Sequence, residues 1–194
     1  MDIHLGPGTC LQVRSAAATV VHVGRSAAPV QWTVVADLAD RAVLDWHPEP
    51  TVVCDGAELY SSMAIALRGG AWAMLRETVV LGRAGQLGGR FHGELTVECD
   101  GAPLLAHTLL LDGTDPALSG PAGTGGSRVV GMLAVVGVGI DWPSQDAGEQ
   151  PGLRWTCSAL DGPGRLLLVL GDRATDVTRL LDQAGRFPES DHPS

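Results

Sequence analysis

Alternation of apolar and polar residues dominates the chain. In "RFHGELTVEC" (90–99), Phe91, Leu95, Val97 and Cys99 fall on one side while His92, Glu94, Thr96 and Glu98 fall on the other, the period of a half-buried strand. "DGAP" then supplies turn chemistry before "LLAHTLLL", which predicts a β-hairpin over residues 90–111. Apolar runs and alternation predict further strands at "PVQWTVVADL", "RAVLDW", "YSSMAIAL", "WAMLRETVVL", "VVGMLAVVGVG", "LRWTCSAL" and "RLLLVLG". Helical spacing is confined to "DRATDVTRLLDQAG". There Ala174, Val177, Leu180, Leu181 and Ala184 predict a helix over 172–184, with Asp172 as N-cap and Gly185 as its stop.

One device recurs. "TVVCDGAEL" (51–59) and "TVECDGAPL" (96–104) share seven of nine positions, and "LGPGTCLQV" (5–13) and "LRGGAWAML" (67–75) are looser versions: strand, glycine turn, strand. Too few copies occur for a regular solenoid, so the pattern predicts a mainly β fold of stacked antiparallel or mixed sheets. Length predicts a single domain over 1–186, with "FPESDHPS" (187–194) as a disordered tail.

Composition narrows the chemistry. The chain has 13 Arg and no Lys, which removes the phosphate-binding lysine of P-loops, the Schiff-base lysine and the kinase strand lysine. A net charge of −9 argues against a nucleic-acid partner. No apolar run reaches membrane-helix length. Cys10, Cys54, Cys99 and Cys157 are widely spaced and "MDIHLGPGTC" carries no leader pattern, so reduced thiols and a cytoplasmic location are expected.

The candidate motifs weaken under inspection. "GRAGQLGG" follows a strand as a phosphate loop would, but it leads into another strand and lacks lysine, so its glycines read as a connection with left-handed turns. His92-Gly93-Glu94 has the H-x-E form of zinc deaminases without their later cysteine pair. The six histidines lack metal-ligand spacing. Glu77 stands apart, because it lies between "WAML" and "TVVL" in a strand apolar enough to be buried. A buried carboxylate needs a partner or water. Two readings stand open: an ion pair with Arg76, Arg83 or Arg90, or a carboxylate on a polar path through the protein.

Three segments carry a family resemblance. Trp46, Pro48, Pro50, Gly56 and Ala57 form a W-x-P-x-P…G-A pattern; Glu77, Leu81, Gly82 and Arg83 form E-x-x-x-L-G-R; Asp100, Gly101, Pro103 and Leu104 form D-G-x-P-L. In this order and spacing the chain, over residues 3–186, resembles the urease accessory protein UreD (UreH) family. It departs at Arg76, where tryptophan is usual, at Gly89, where an acid is usual, and at Val20, where a lysine is usual. The family's amino-terminal Gly-Gly-Asp segment has no counterpart, which implies a short amino terminus.

The resemblance implies a β-helix-like winding of stacked sheets with few helices, and a non-enzymatic role: binding apo-urease and, with UreF and the GTPase UreG, supporting nickel insertion. It further implies nickel in transit with no tightly bound cofactor, and a homodimer within the complex. On this reading Glu77, Asp55, Glu94 and His92 are candidates for a transient nickel path. Arg83 fixes a carboxylate or carbonyl, and Gly82, Pro48 and Pro50 serve structure or partner contact. The alternative is a β-sandwich hydrolase or sugar-binding domain using Asp55 and Glu77 with Trp32 or Trp72. Since the lysine-free loop enters a strand, calorimetric titration with GTP is expected to give no saturable heat.

Overall fold

The computed structural model describes residues 1–24, 28–138 and 146–185; the expected tail, 187–194, lies outside them. The first hundred residues wind between two sheets. Strand β1 (Asp2–Leu5) lies in the first sheet, and β2 (Cys10–Arg14) and β3 (Thr19–Val21) in the second. A second winding repeats this with β4 (Val30–Leu38), then β5 (Val43–His47) and β6 (Thr51–Val53); a third places β7 (Glu58–Leu67) in the first sheet and β8 (Trp72–Leu81) in the second. β9 (Arg90–Cys99) returns to the first sheet. Asp2 pairs with Val35, Val30 with Leu59 and Glu58 with Arg90, offsets of 33, 29 and 32 residues, and all these pairings are parallel.

Both sheets are mixed, yet the antiparallel pairing read from the turns holds for only one of the four recurring segments. β9 and β10 (Ala102–Asp112) form the predicted hairpin. The other three turns carry the chain from one sheet to the other. Backbone geometry separates the two outcomes. Asp100 and Gly101 both have positive φ (50° and 81°), as a two-residue hairpin turn requires, whereas in the near-identical upstream segment only Gly56 does (70°).

Residues 113–128 lead to β11 (Val129–Val136), which lies antiparallel between β8 and β14 (Gly164–Gly171); β13 (Leu153–Ala159) and β12 (Ala147–Gln150) complete the second sheet. The short β3 and β12 carry too little apolar alternation to be read from sequence. Helix α1 (Ala174–Ala184) covers the outer face of the second sheet. Its N-cap is Arg173, not Asp172, and no side chain caps it; Gly185 closes it as expected. Docking of Val177 and Leu181, both fully buried, holds the helix without that cap.

Between the sheets lie two apolar clusters. One is centred on Leu38, Leu44, Leu67, Leu75 and Val97, the other on Val53, Leu59, Val79, Phe91 and Val130. The glycine loop 82–89 connects the sheets at the second cluster. Gly82, Gly85 and Gly88 have φ of 67°, 81° and 103°, and a Cβ on Gly89 would lie 2.1 Å from the Ala57 carbonyl oxygen and 2.5 Å from that of Cys54. Gly89→Ala is therefore expected to lower stability by about 2 kcal/mol or more. Gly85→Ala, with open space around it, should cost about 1 kcal/mol, the left-handed penalty alone. Urea denaturation of both variants checks the contrast.

Candidate functional site

Side chains alternate along β8, so Leu75, Glu77 and Val79 face the opposite sheet while Arg76 and Thr78 face away. Leu75 belongs to one interior cluster and Val79 to the other. Glu77 thus sits where the apolar interior is interrupted. Ser61 of β7 donates a 3.1 Å hydrogen bond to Glu77 Oε1, and Gly93 of β9 leaves room for Oε2, which would lie 3.3 Å from a Cβ placed there. Across β11, Met132 stands in register with it.

The polar interruption continues to the surface through a break in the second sheet. β5 pairs with β8 as far as Trp46 against Leu75, and β6 resumes with Thr51 against Val79. Between them His47-Pro48-Glu49-Pro50 cannot continue the ladder, since the prolines carry no N–H to donate. The first winding has the same break between β2 and β3, where Ser15 Oγ accepts the Glu49 N–H at 2.7 Å. A cavity of about 120 Å³, room for several waters, reaches Glu77 past Thr19, Trp46, Pro48, Glu49 and Thr51.

Enclosure raises the Glu77 pKa to about 7; desolvation drives the shift, and the Ser61 hydrogen bond opposes it. The residue keeps some accessible surface because part of its side chain faces the cavity. Among the described residues no arginine pairs with it. Arg76 is committed on the other face of β8: its guanidinium contacts His47 Nε2 at 2.6 Å, donates to the Leu181 carbonyl at 3.2 Å and forms an ion pair with Asp182 of α1. Arg90 pairs with Asp112 at 2.9 Å. Burial, followed by the charges of Arg76 and Arg14, lowers the His47 pKa against the pull of Asp182 and Asp45, which keeps His47 a neutral acceptor for Arg76.

The other sequence candidates divide. Glu94 and Pro48 line the same cavity as Glu77, and so does Trp32. His92 does not; it lies on the outer side of β9, 3.1 Å from Glu94 and stacked at a tilt on Tyr60. Asp55 is also outside the cavity, its Oδ1 accepting the Gly88 N–H at 2.7 Å in the sheet-to-sheet turn. Asp55 and Glu77, the carboxylate pair of the hydrolase alternative, thus do not share the cavity, and Trp72 lies in the cluster beneath α1. The Arg83 side chain is exposed and, among the described residues, holds no carboxylate or carbonyl. Arg128 does so instead, donating to the Leu81 carbonyl (3.1 Å from Nε) and to that of Arg83 (2.9 Å). Gly82 closes the glycine loop and Pro50 accepts the Thr19 N–H at 3.0 Å. Sequence reading missed Ser61 and Glu49 as parts of the site, and it took Arg76 for a partner of Glu77 when the guanidinium lies on the other face of β8. Among the described residues, no three His, Cys, Asp or Glu side chains converge as a metal site, and no helix is long and apolar enough to cross a membrane.

Comparison with known proteins places this geometry in context. The family model described as "UreD urease accessory protein" matches residues 1–189. The chain is 39% identical over 197 residues to the urease accessory protein UreD of Frankia alni, covering 93% of this chain and 65% of that protein. It is 34% identical to the protein of that name from Frankia casuarinae, with 94% and 65% covered, and 36% identical to that from Streptomyces coelicolor, with 93% and 71% covered. The chain thus spans about two thirds of the length of these relatives.

Glu77 also makes stability depend on pH. Its folded pKa is raised, so between the ordinary carboxyl value and about 7 the folded state binds more protons than the unfolded state, and stability falls as pH rises through that window. Glu77→Gln keeps the Ser61 contact without the charge. At about pH 8 the variant is expected to be more stable than the parent by about 1–3 kcal/mol, discounted for cavity water, and at about pH 4 the two should coincide. Chemical denaturation at both pH values measures it.

Proposed function

The chain belongs to the UreD family of urease accessory proteins, and from that premise we propose that it binds apo-urease and, with UreF and UreG, supports nickel insertion by giving the ion a route to the enzyme. One observation carries this reading: a carboxylate, Glu77, placed between two apolar clusters and reached from outside through a proline-made gap in a sheet. A structural role would be served better by an apolar residue at that position, since burying a carboxylate without a cation opposes folding.

The chemistry suits cargo in transit. Glu77 supplies one charge, Ser61 a hydroxyl, and the cavity water. So sparse a donor set binds a divalent ion weakly, and a carrier has to release what it holds. A carboxyl whose pKa is about 7 releases its proton to a cation near neutral pH, so Glu77 offsets one of the two charges of an entering divalent ion. Glu94 borders the cavity, but its carboxylate turns to the outer side of β9 beside His92. The chain acts in this reading as a cytoplasmic assembly partner without nucleic-acid or membrane contacts, and with no tightly bound cofactor of its own.

Glu77→Gln tests the route. The variant is expected to fold and to co-purify with urease and UreF, while urease matured with it carries several-fold less nickel per active site at limiting nickel. Full loading by the stable variant would remove Glu77 from the route.

A further inference from the structure

Arg76 joins the cavity to the terminal helix. It lines the cavity as Glu77's neighbour in sequence, yet its guanidinium is spent on α1, through Asp182 and the Leu181 carbonyl. The two ends of that ion pair are unequal in exposure: the Arg76 side chain is 3% accessible and that of Asp182 is 41%. Arg76 Nε, moreover, is buried with no partner among the described residues. His47 touches Arg76 and lies 3.5 Å from Asp182, and Asp45, which acts on His47, is already paired with Arg14. Asp182 is therefore, among the described residues, the acid that balances the buried Arg76 at the gap.

We propose that α1 is an electrostatic gate on the gap in the second sheet: while Asp182 is docked, the Arg76 charge is neutralised and a divalent cation can pass, and when Asp182 is drawn away the bare guanidinium repels it. This rests on the reading of the cavity as a cation route and adds its control. A part-exposed carboxylate on a helix edge is open to capture by an arginine or lysine of a bound partner, and such capture closes the gate while release of Asp182 reopens it. The geometry makes the effect large. A unit charge within several ångströms of a divalent ion, in partly desolvated surroundings, changes its local concentration by about tenfold or more.

Urease maturation with the full complex at limiting nickel tests the gate through three variants. Asp182→Asn, which keeps the shape and an acceptor oxygen but leaves Arg76 unneutralised, is expected to lower nickel per active site at least about fivefold. Arg76→Gln/Asp182→Asn is expected to restore loading to near the parent level, because no charge is left at the gap to neutralise. If the double variant loads as poorly as the single one, or if Asp182→Asn loads normally, the gate is wrong. Should Asp182→Asn fail to co-purify, Arg76→Gln alone decides: parental or better loading supports the gate and impaired loading overturns it. Normal loading by Asp182→Asn beside poor loading by Glu77→Gln removes the gate and leaves the route standing. Normal loading by both removes the route itself.

Discussion

A carboxylate placed inside a two-sheet fold has to be given water, a partner or a proton, and the structure around Glu77 supplies all three. Ser61 donates to it, the cavity has room for water beside it, and its pKa of about 7 lets it hold a proton near neutrality. Each provision shapes something larger. Ser61 and Gly93 take positions on the inner face of the first sheet that would otherwise carry apolar side chains, so the interior divides into two clusters with a polar level between them. The hydration route demands a break in the second sheet, and the break demands that β5 and β6 end and begin on either side of two prolines.

The winding explains how so few residues achieve this. Three successive parallel windings of about 30 residues stack like positions on like, so the break in the first winding lies beside the break in the second. β8 then runs unbroken along both halves and holds the split edge together. The third winding thus provides a continuous strand with Glu77 at its middle and Arg76 facing α1. Opposite faces of one strand carry opposite charges, each answered by a different layer of the fold.

Much of this was legible in the residues. Strand positions follow from alternation, the hairpin at 90–111 from its Asp-Gly turn, and the anomaly of Glu77 from its apolar flanks. Parallel winding was not legible from the turns, because "CDGA" reads alike where it makes a hairpin and where it crosses between sheets. The difference lies in whether the aspartate adopts positive φ, which the surrounding sheet decides. Asp55 and His92 looked like site residues by type, but the first is consumed by the Gly88 N–H and the second lies on the outer side of its strand. Arg76 was read as a partner for Glu77, as adjacent charges in sequence invite. Strand geometry sends neighbours to opposite faces, and this excludes it. Ser61 had no signal of its own, since a serine in an alternating strand is unremarkable until its inward neighbour is known.

The missing stretch of ladder beside β8 has one more effect. Pairing with β5 stops at Leu75 and pairing with β6 begins at Val79, so along one edge the peptide groups of the Arg76–Thr78 segment meet the gap instead of a neighbouring strand. Peptide dipoles can take the place of an ion's hydration shell, and they do so without holding it tightly. They carry no net charge. The unzipped edge can therefore solvate a passing cation, while Glu77 offsets one of its two charges inside the protein.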